Sequence, residues 1–194
     1  MRPFPTLCAA VAALALTSGL AHAQTREGFY FGAGAGWGSA KATCEDCNDL
    51  DNGRLSSLTA HLRVGKTISS RLALGAELNG WFKHDDLFDT DLRLYDATLG
   101  FSIYPSDAGL FVKAGVGIGR MEITGGDLGE KVSGTGLGLM AGVGYDIPIG
   151  STTALTPMAT YWWGKPGDLK FEGVPLDLGV KHNVLEIGVG ITFY

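Results

Sequence analysis

Apolar and polar positions alternate along almost the whole chain. Between Phe29 and Trp37 the odd positions are Phe29, Phe31, Ala33, Ala35 and Trp37, while the even ones are Tyr30, Gly32, Gly34 and Gly36. From Leu58 the apolar set is Leu58, Ala60, Leu62 and Val64, against Thr59, His61, Arg63 and Gly65. The same period of two recurs over 72–79, 95–103, 112–119, 137–145, 155–163 and 185–193. Helical spacing is absent. A period of two places successive side chains on opposite faces of a strand, so the pattern predicts eight strands. Each is close to the ~9–11 residues that a tilted strand needs to cross a bilayer.

The connections predict how those strands are arranged. Short turns fall at Ser69-Ser70, Pro105–Gly109 and Pro148–Ser151, and longer polar loops at Ala42–Arg54, His84–Asp91, Thr124–Val132 and Gly164–Val180. Short turns at one end and long loops at the other are the pattern of an up-and-down membrane barrel. With an even strand number, both termini fall on the turn side.

Composition decides which face looks outward. The face opposite the apolar one is mostly glycine, and the chain has 30 glycines. The ionisable residues in mid-strand are His61, Arg63, Glu77, Asp96, Lys113 and Glu186, too few to solvate the outside of a water-soluble barrel. Small residues suit the narrow interior of an eight-stranded barrel. Aromatic residues (Phe29, Trp37, Tyr95, Tyr145, Tyr161, Trp163, Phe193) gather toward strand ends, as interfacial girdles do. The expected fold is therefore all-β: an eight-stranded antiparallel transmembrane β-barrel over 24–194, with a glycine-lined polar interior.

Met1–Ala23 reads as a secretory signal peptide. Arg2 gives the positive start, an apolar run follows from Leu7, and Ala21-His22-Ala23 supplies the small-x-small cleavage pattern.

On these residues the chain resembles the small eight-stranded outer-membrane barrels typified by the OmpA membrane domain and OmpX, within the broader porin-like outer-membrane β-barrel group. The resemblance covers essentially all of 24–194. It rests on the glycine-alternating segments 29–38 and 137–145 and on the closing segment 184–194. It implies location in the outer membrane of a Gram-negative-type envelope, both termini periplasmic, and contact with outer-membrane lipids and lipopolysaccharide. It also implies that the assembly machinery reads the C-terminal strand. Tyr194 fills the place of the closing aromatic residue, one position out of phase with the apolar register of Val189, Ile191 and Phe193. The chain is expected to act as a monomer.

The candidate site is the interior. Arg63 and Glu77 flank the Ser69-Ser70 turn, and pairing positions that sum to 140 sets them directly opposite. The expected network is an Arg63–Glu77 pair extended by Asp96, Lys113 and Glu186, since a charge buried in a narrow barrel is costly unless paired. Such a network either plugs the lumen, the leading expectation, or lines a conducting path.

Other chemistry is sparse. Cys44-Glu45-Asp46-Cys47 has a local disulfide as its default in an oxidising compartment, with free thiols or a ligand-poor metal site as alternatives. The acidic loops around Asp49 and Asp86 are expected to be solvated, with divalent-cation binding as the alternative; Asp49-Leu50-Asp51-Asn52-Gly53 breaks the calcium-loop spacing. The glycine runs lack a following helix and bind no dinucleotide. No nucleophile–base–acid triad is evident, so neither catalytic residue, cofactor nor metal is assigned. A net charge of −5 argues against nucleic acid as a partner. The expected role is structural or surface-interacting and non-enzymatic. The alternatives are a narrow channel for small solutes and a lipid A-modifying enzyme.

Overall fold

The computed structural model describes residues 28–44, 53–86, 89–125, 130–171 and 174–194. The expected signal segment and Cys47 lie outside them. The strands are β1 (Gly28–Thr43), β2 (Leu55–Ser69), β3 (Leu72–Asp85), β4 (Thr90–Ile103), β5 (Leu110–Gly125), β6 (Glu130–Tyr145), the two-residue β7 (Ile147–Pro148), β8 (Thr153–Phe171) and β9 (Val174–Phe193). Every long strand pairs antiparallel with its neighbours. β1 closes on β9, and β6 pairs with β8. Eight long strands thus form a closed cylinder. Closure leaves no edge of unpaired N–H and C=O groups, which is the condition for a sheet to sit in lipid.

Alternation turned out as the sequence predicts. Phe31, Leu62, Val64, Leu99, Val116, Ile118 and Ile187 point outward, and their exposure ranges from 47% at Leu62 to 70% at Leu99 and Ile187. Long strands carry the barrel well past the belt on the loop side. The region 164–180, expected as a loop, is mostly strand. β8 and β9 continue to pair there, with register shifts at Gly164/Gly167 and Gly167/Leu169. Pro166 and Gly167 resemble a loop in sequence, but here they mark bulges, and Gly167 takes a positive φ of 71°.

The cylinder is creased. Between Ser133 and Leu137 the β6–β8 register slips. There a Cβ at Gly119 of β5 would lie 2.8 Å from the Gly164 Cα of β8, and one at Gly136 would lie 1.9 Å from the Lys165 carbonyl oxygen. At Gly119, only glycine lets the β5 and β8 backbones come this close across the intervening β6.

The interior departs from the uniformly polar lining expected of it. Two apolar layers cap a polar middle. On the loop side Ala40, Trp81, Leu94, Met121, Met140, Trp162 and Val184 form one buried cluster. On the turn side Tyr30, Ala73, Tyr104 and Phe111 form another, with Tyr194 packed against it. The physical reason is continuity of alternation: Trp81 follows Glu77 and Asn79 on the inward face of β3, and Leu94 precedes Asp96 on that of β4.

Candidate functional site

The floor of the barrel is built around Asp146, just beyond the end of β6. Its Oδ1 accepts a hydrogen bond from the Thr156 hydroxyl at 2.8 Å, and its Oδ2 accepts one from the Tyr104 hydroxyl at 3.0 Å. The Tyr194 hydroxyl donates to the same Oδ2. The phase slip at the C-terminus has its explanation here: Phe193 points outward, 49% exposed, while the Tyr194 ring turns in beside Tyr30, 6.3 Å between centroids.

Above the floor lies the charged layer. Register sets Arg63 opposite Glu77, and Nε stands 3.6 Å from Oε2. The Arg63 guanidinium lies between two rings, 4.8 Å from the Phe111 centroid and 5.7 Å from that of Tyr30, a cation–π arrangement. Lys113 donates directly to Glu77 Oε1 and approaches Met158 Sδ at 3.5 Å. One carboxylate therefore serves two buried cations. Beside them is a cavity of about 10 Å³ lined by Tyr30, Arg63, Glu77, Ser102, Lys113 and Met140, room for roughly one water molecule.

Glu186 and Asp96 do not join that cluster. Glu186 pairs instead with His61, whose Nδ1 lies 2.9 Å from Oε1. Both carboxylate oxygens of Asp96 are buried with no hydrogen-bond partner among the described residues. The same holds for Asn79 and for both ring nitrogens of His182. His182 stacks edge-on against Trp162 at 6.0 Å. Trp81 Nε1 donates to the Gly38 carbonyl at 3.0 Å. The sequence singled out neither His182, Trp81 nor Asp146. Extending each alternating segment by a turn or two of the pleat would have placed all three inside.

Outside the barrel on the loop side, ionic contacts decorate the strand ends. His84 Nδ1 meets Asp91 Oδ1 at 3.0 Å, and Arg93 meets Asp91 Oδ2 at 3.3 Å. The hydrogen bond to Asp91 raises the His84 pKa above its ordinary 6.5, and in return lowers that of Asp91. Arg120 and Lys131 share Glu122, at 2.6 Å and 3.2 Å. Arg54 ties β1 and β9 to the end of the first loop, reaching Ser39 Oγ and Asn183 Oδ1 at 2.9 Å each. Cys44 is disulfide-bonded. No group of three or more His, Cys, Asp or Glu side chains poised for a metal occurs among the described residues. Ser57, the serine that shares a face with His61, donates its hydroxyl to the Phe82 carbonyl.

The family model described as "Outer membrane protein beta-barrel domain" matches residues 7–193. Among solved structures, Ail, the attachment invasion locus protein of Yersinia pestis, in complex with the heparin analogue sucrose octasulfate, is 15% identical with a TM-score of 0.59. The match covers 86% of this chain and 99% of that one. Neisserial surface protein A is 16% identical with a TM-score of 0.54, over 85% and 96%. OprG from Pseudomonas aeruginosa is 14% identical with a TM-score of 0.51, over 88% and 99%. At these identities the likeness is one of fold. A search of curated proteins found no match.

Proposed function

This chain belongs to the outer membrane protein beta-barrel domain family, and from that premise we propose that it is a non-enzymatic envelope protein whose sealed barrel holds its loop-side surface in the outer membrane. The observation that carries this reading is the layered interior. A path along the axis would have to pass Trp81 and Trp162, each fully buried, then the Glu77–Lys113–Arg63 cluster, then the Tyr104–Asp146–Tyr194 floor. Buried ion pairs in a narrow, close-packed space seal more readily than they conduct. A cleaved export signal at 1–23, periplasmic termini, and lipids and lipopolysaccharide as surroundings complete the reading, as does recognition of the last strand by the assembly machinery. Phe193 is the aromatic residue which that strand presents outward.

The runner-up is a narrow channel. Planar-bilayer recording separates the two: the sealed barrel gives no unitary current steps. Discrete steps that change with Lys113→Ala would replace it with the channel. A lipid-modifying enzyme has less support, because among the described residues no hydroxyl or thiol is hydrogen-bonded to a ring nitrogen of His61 or His182, and Ser57 is engaged elsewhere. Unchanged lipid A mass after deletion of the protein is the expected result, and loss of a modified species would restore that reading.

A further inference from the structure

Three charges meet inside the barrel, and they do not cancel. Arg63 and Lys113 are positive, and Glu77 is the carboxylate that both reach. The cluster keeps one net positive charge. The other interior carboxylates are held elsewhere. Asp146 takes the hydroxyls of Thr156, Tyr104 and Tyr194 in the floor. Glu186 takes His61. Asp96 lies opposite Asn79, one step of the pleat nearer the loops than Glu77 and Thr98. A buried charge left without a counter-ion is costly, so the surplus calls for an anion.

The cavity of about 10 Å³ lies against that cluster, and donors dominate its wall. The Lys113 ammonium and the Ser102 hydroxyl come from register partners on β5 and β4. The Tyr30 hydroxyl comes from β1, and glycines on β2 and β3 make room for it. A Cβ would lie 2.4 Å from that oxygen at Gly75 and 2.6 Å at Gly65. Arg63 also lines the cavity. Its guanidinium is held between the rings of Phe111 and Tyr30, so its donors act in the plane of the group. There Nε faces Glu77, while Nη1 is buried with no hydrogen-bond partner among the described residues. Met140 completes the wall with a flexible thioether that can adapt to an occupant's radius.

We infer that this cavity is an anion site: one chloride-sized ion sits among Arg63, Lys113, Tyr30 and Ser102 and neutralises the charged layer. A water molecule would fill the space but leave the charge. It would also need acceptors for its own two hydrogens in a wall made mainly of donors. A halide accepts from every side and brings no hydrogen. Glu77 opposes it little, because its two oxygens are turned to Arg63 Nε and Lys113 Nζ. Phosphate and sulfate are too large for a space of this volume. Hydrogen bonds from Arg63 and Lys113 to the ion are charge-assisted and stronger than neutral ones. The inference goes beyond the sealed-barrel reading and does not depend on whether the lumen conducts.

The test uses the barrel refolded from urea into detergent micelles with sodium bromide, sodium chloride or sodium gluconate at one ionic strength. Crystals grown from bromide should show an anomalous peak between Arg63 and Lys113. The folded-to-unfolded ratio at fixed urea should be higher in either halide than in gluconate. The gain is one plus the ratio of free halide to its dissociation constant, about tenfold when halide stands at ten times that constant. Lys113→Met brings the cluster to zero net charge and should abolish the halide dependence. Tyr30→Phe keeps every charge and the ring beside Arg63, removes one donor and should weaken it. Heat-modifiable mobility on gels verifies that each variant is folded, and Tyr30→Phe carries the test if Lys113→Met does not fold. A water molecule in place of the bromide peak overturns the site. A halide dependence equal in the unaltered chain and the folded variants overturns it as well, since the ions would then act at the surface.

Discussion

His61 on β2 and Glu186 on β9 meet at 2.9 Å although β1 runs between their strands. They can do so because β1 presents only glycine at that level. A Cβ at Gly34 would lie 2.4 Å from His61 Nε2 and 2.5 Å from the Val189 carbonyl oxygen. Gly34→Ala should therefore destabilise the barrel by about 1–3 kcal/mol, the usual cost of overpacking. Urea unfolding of the micelle-embedded protein, followed by tryptophan fluorescence, would measure it. An unchanged midpoint would mean that His61 and β9 move aside at no cost.

Glu77 is the carboxylate shared by two buried cations, so its removal should cost more than removal of either partner. Glu77→Ala takes from Arg63 and Lys113 the carboxylate that pairs with both, and a loss of about 3–5 kcal/mol is expected. Combining Glu77→Leu with Lys113→Met removes charge in balance and should recover part of that loss. The same unfolding assay reads both variants, and a double variant no better than Glu77→Ala would show that the cations are solvated by other means.

The floor depends on Asp146. Asp146→Ala withdraws a charged acceptor from Thr156, Tyr104 and Tyr194, at roughly 1.5–3 kcal/mol for hydrogen bonds to a charged group. Asp146→Asn keeps the shape and should lose less. Proteolysis confined to the turn-side end of the variant would locate the weakening there.

At the opposite end, the His84–Asp91 contact makes a prediction about pH. His84 has a pKa raised above 6.5, so the fold favours its charged form. That contribution is fully present below pH 6.5 and fades as pH climbs through the raised value. Asp91 has a pKa lowered from 3.8, so its share is present above 3.8 and fades as pH falls through the lowered value. The contact is strongest between those limits. NMR titration of the His84 ring should give a midpoint above 6.5 that Asp91→Asn brings down. A midpoint unmoved by that substitution would separate the two groups.

Architecture was legible from the sequence because one rule, a period of two, governs every strand and both faces of a barrel. Arg63 and Glu77 could be aligned for the same reason, since a tight turn fixes register. Long-range partners were not legible. His61 reaches Glu186 across 125 positions, and nothing local distinguishes Glu186 from Asp96, which lies equally deep and has no such partner. The apolar caps were missed because Trp81, Leu94 and Val184 are apolar residues on the inward face, where volume rather than polarity selects them. The strand extensions at 164–180 were hidden by Pro166 and Gly167, whose loop chemistry also serves a bulge.

Where β5 and β8 come together at Gly119 and Gly164, two main chains and the His182 ring set the bore. Protein engineers who want a pore from this scaffold cannot carve one at that height by shaving side groups alone, since with the His182 ring removed the two main chains would still stand together. Trimming either tryptophan would excavate a blind chamber and still stop at the crease. A passage would demand an added hairpin, a wider circle of strands rather than a gentler lining.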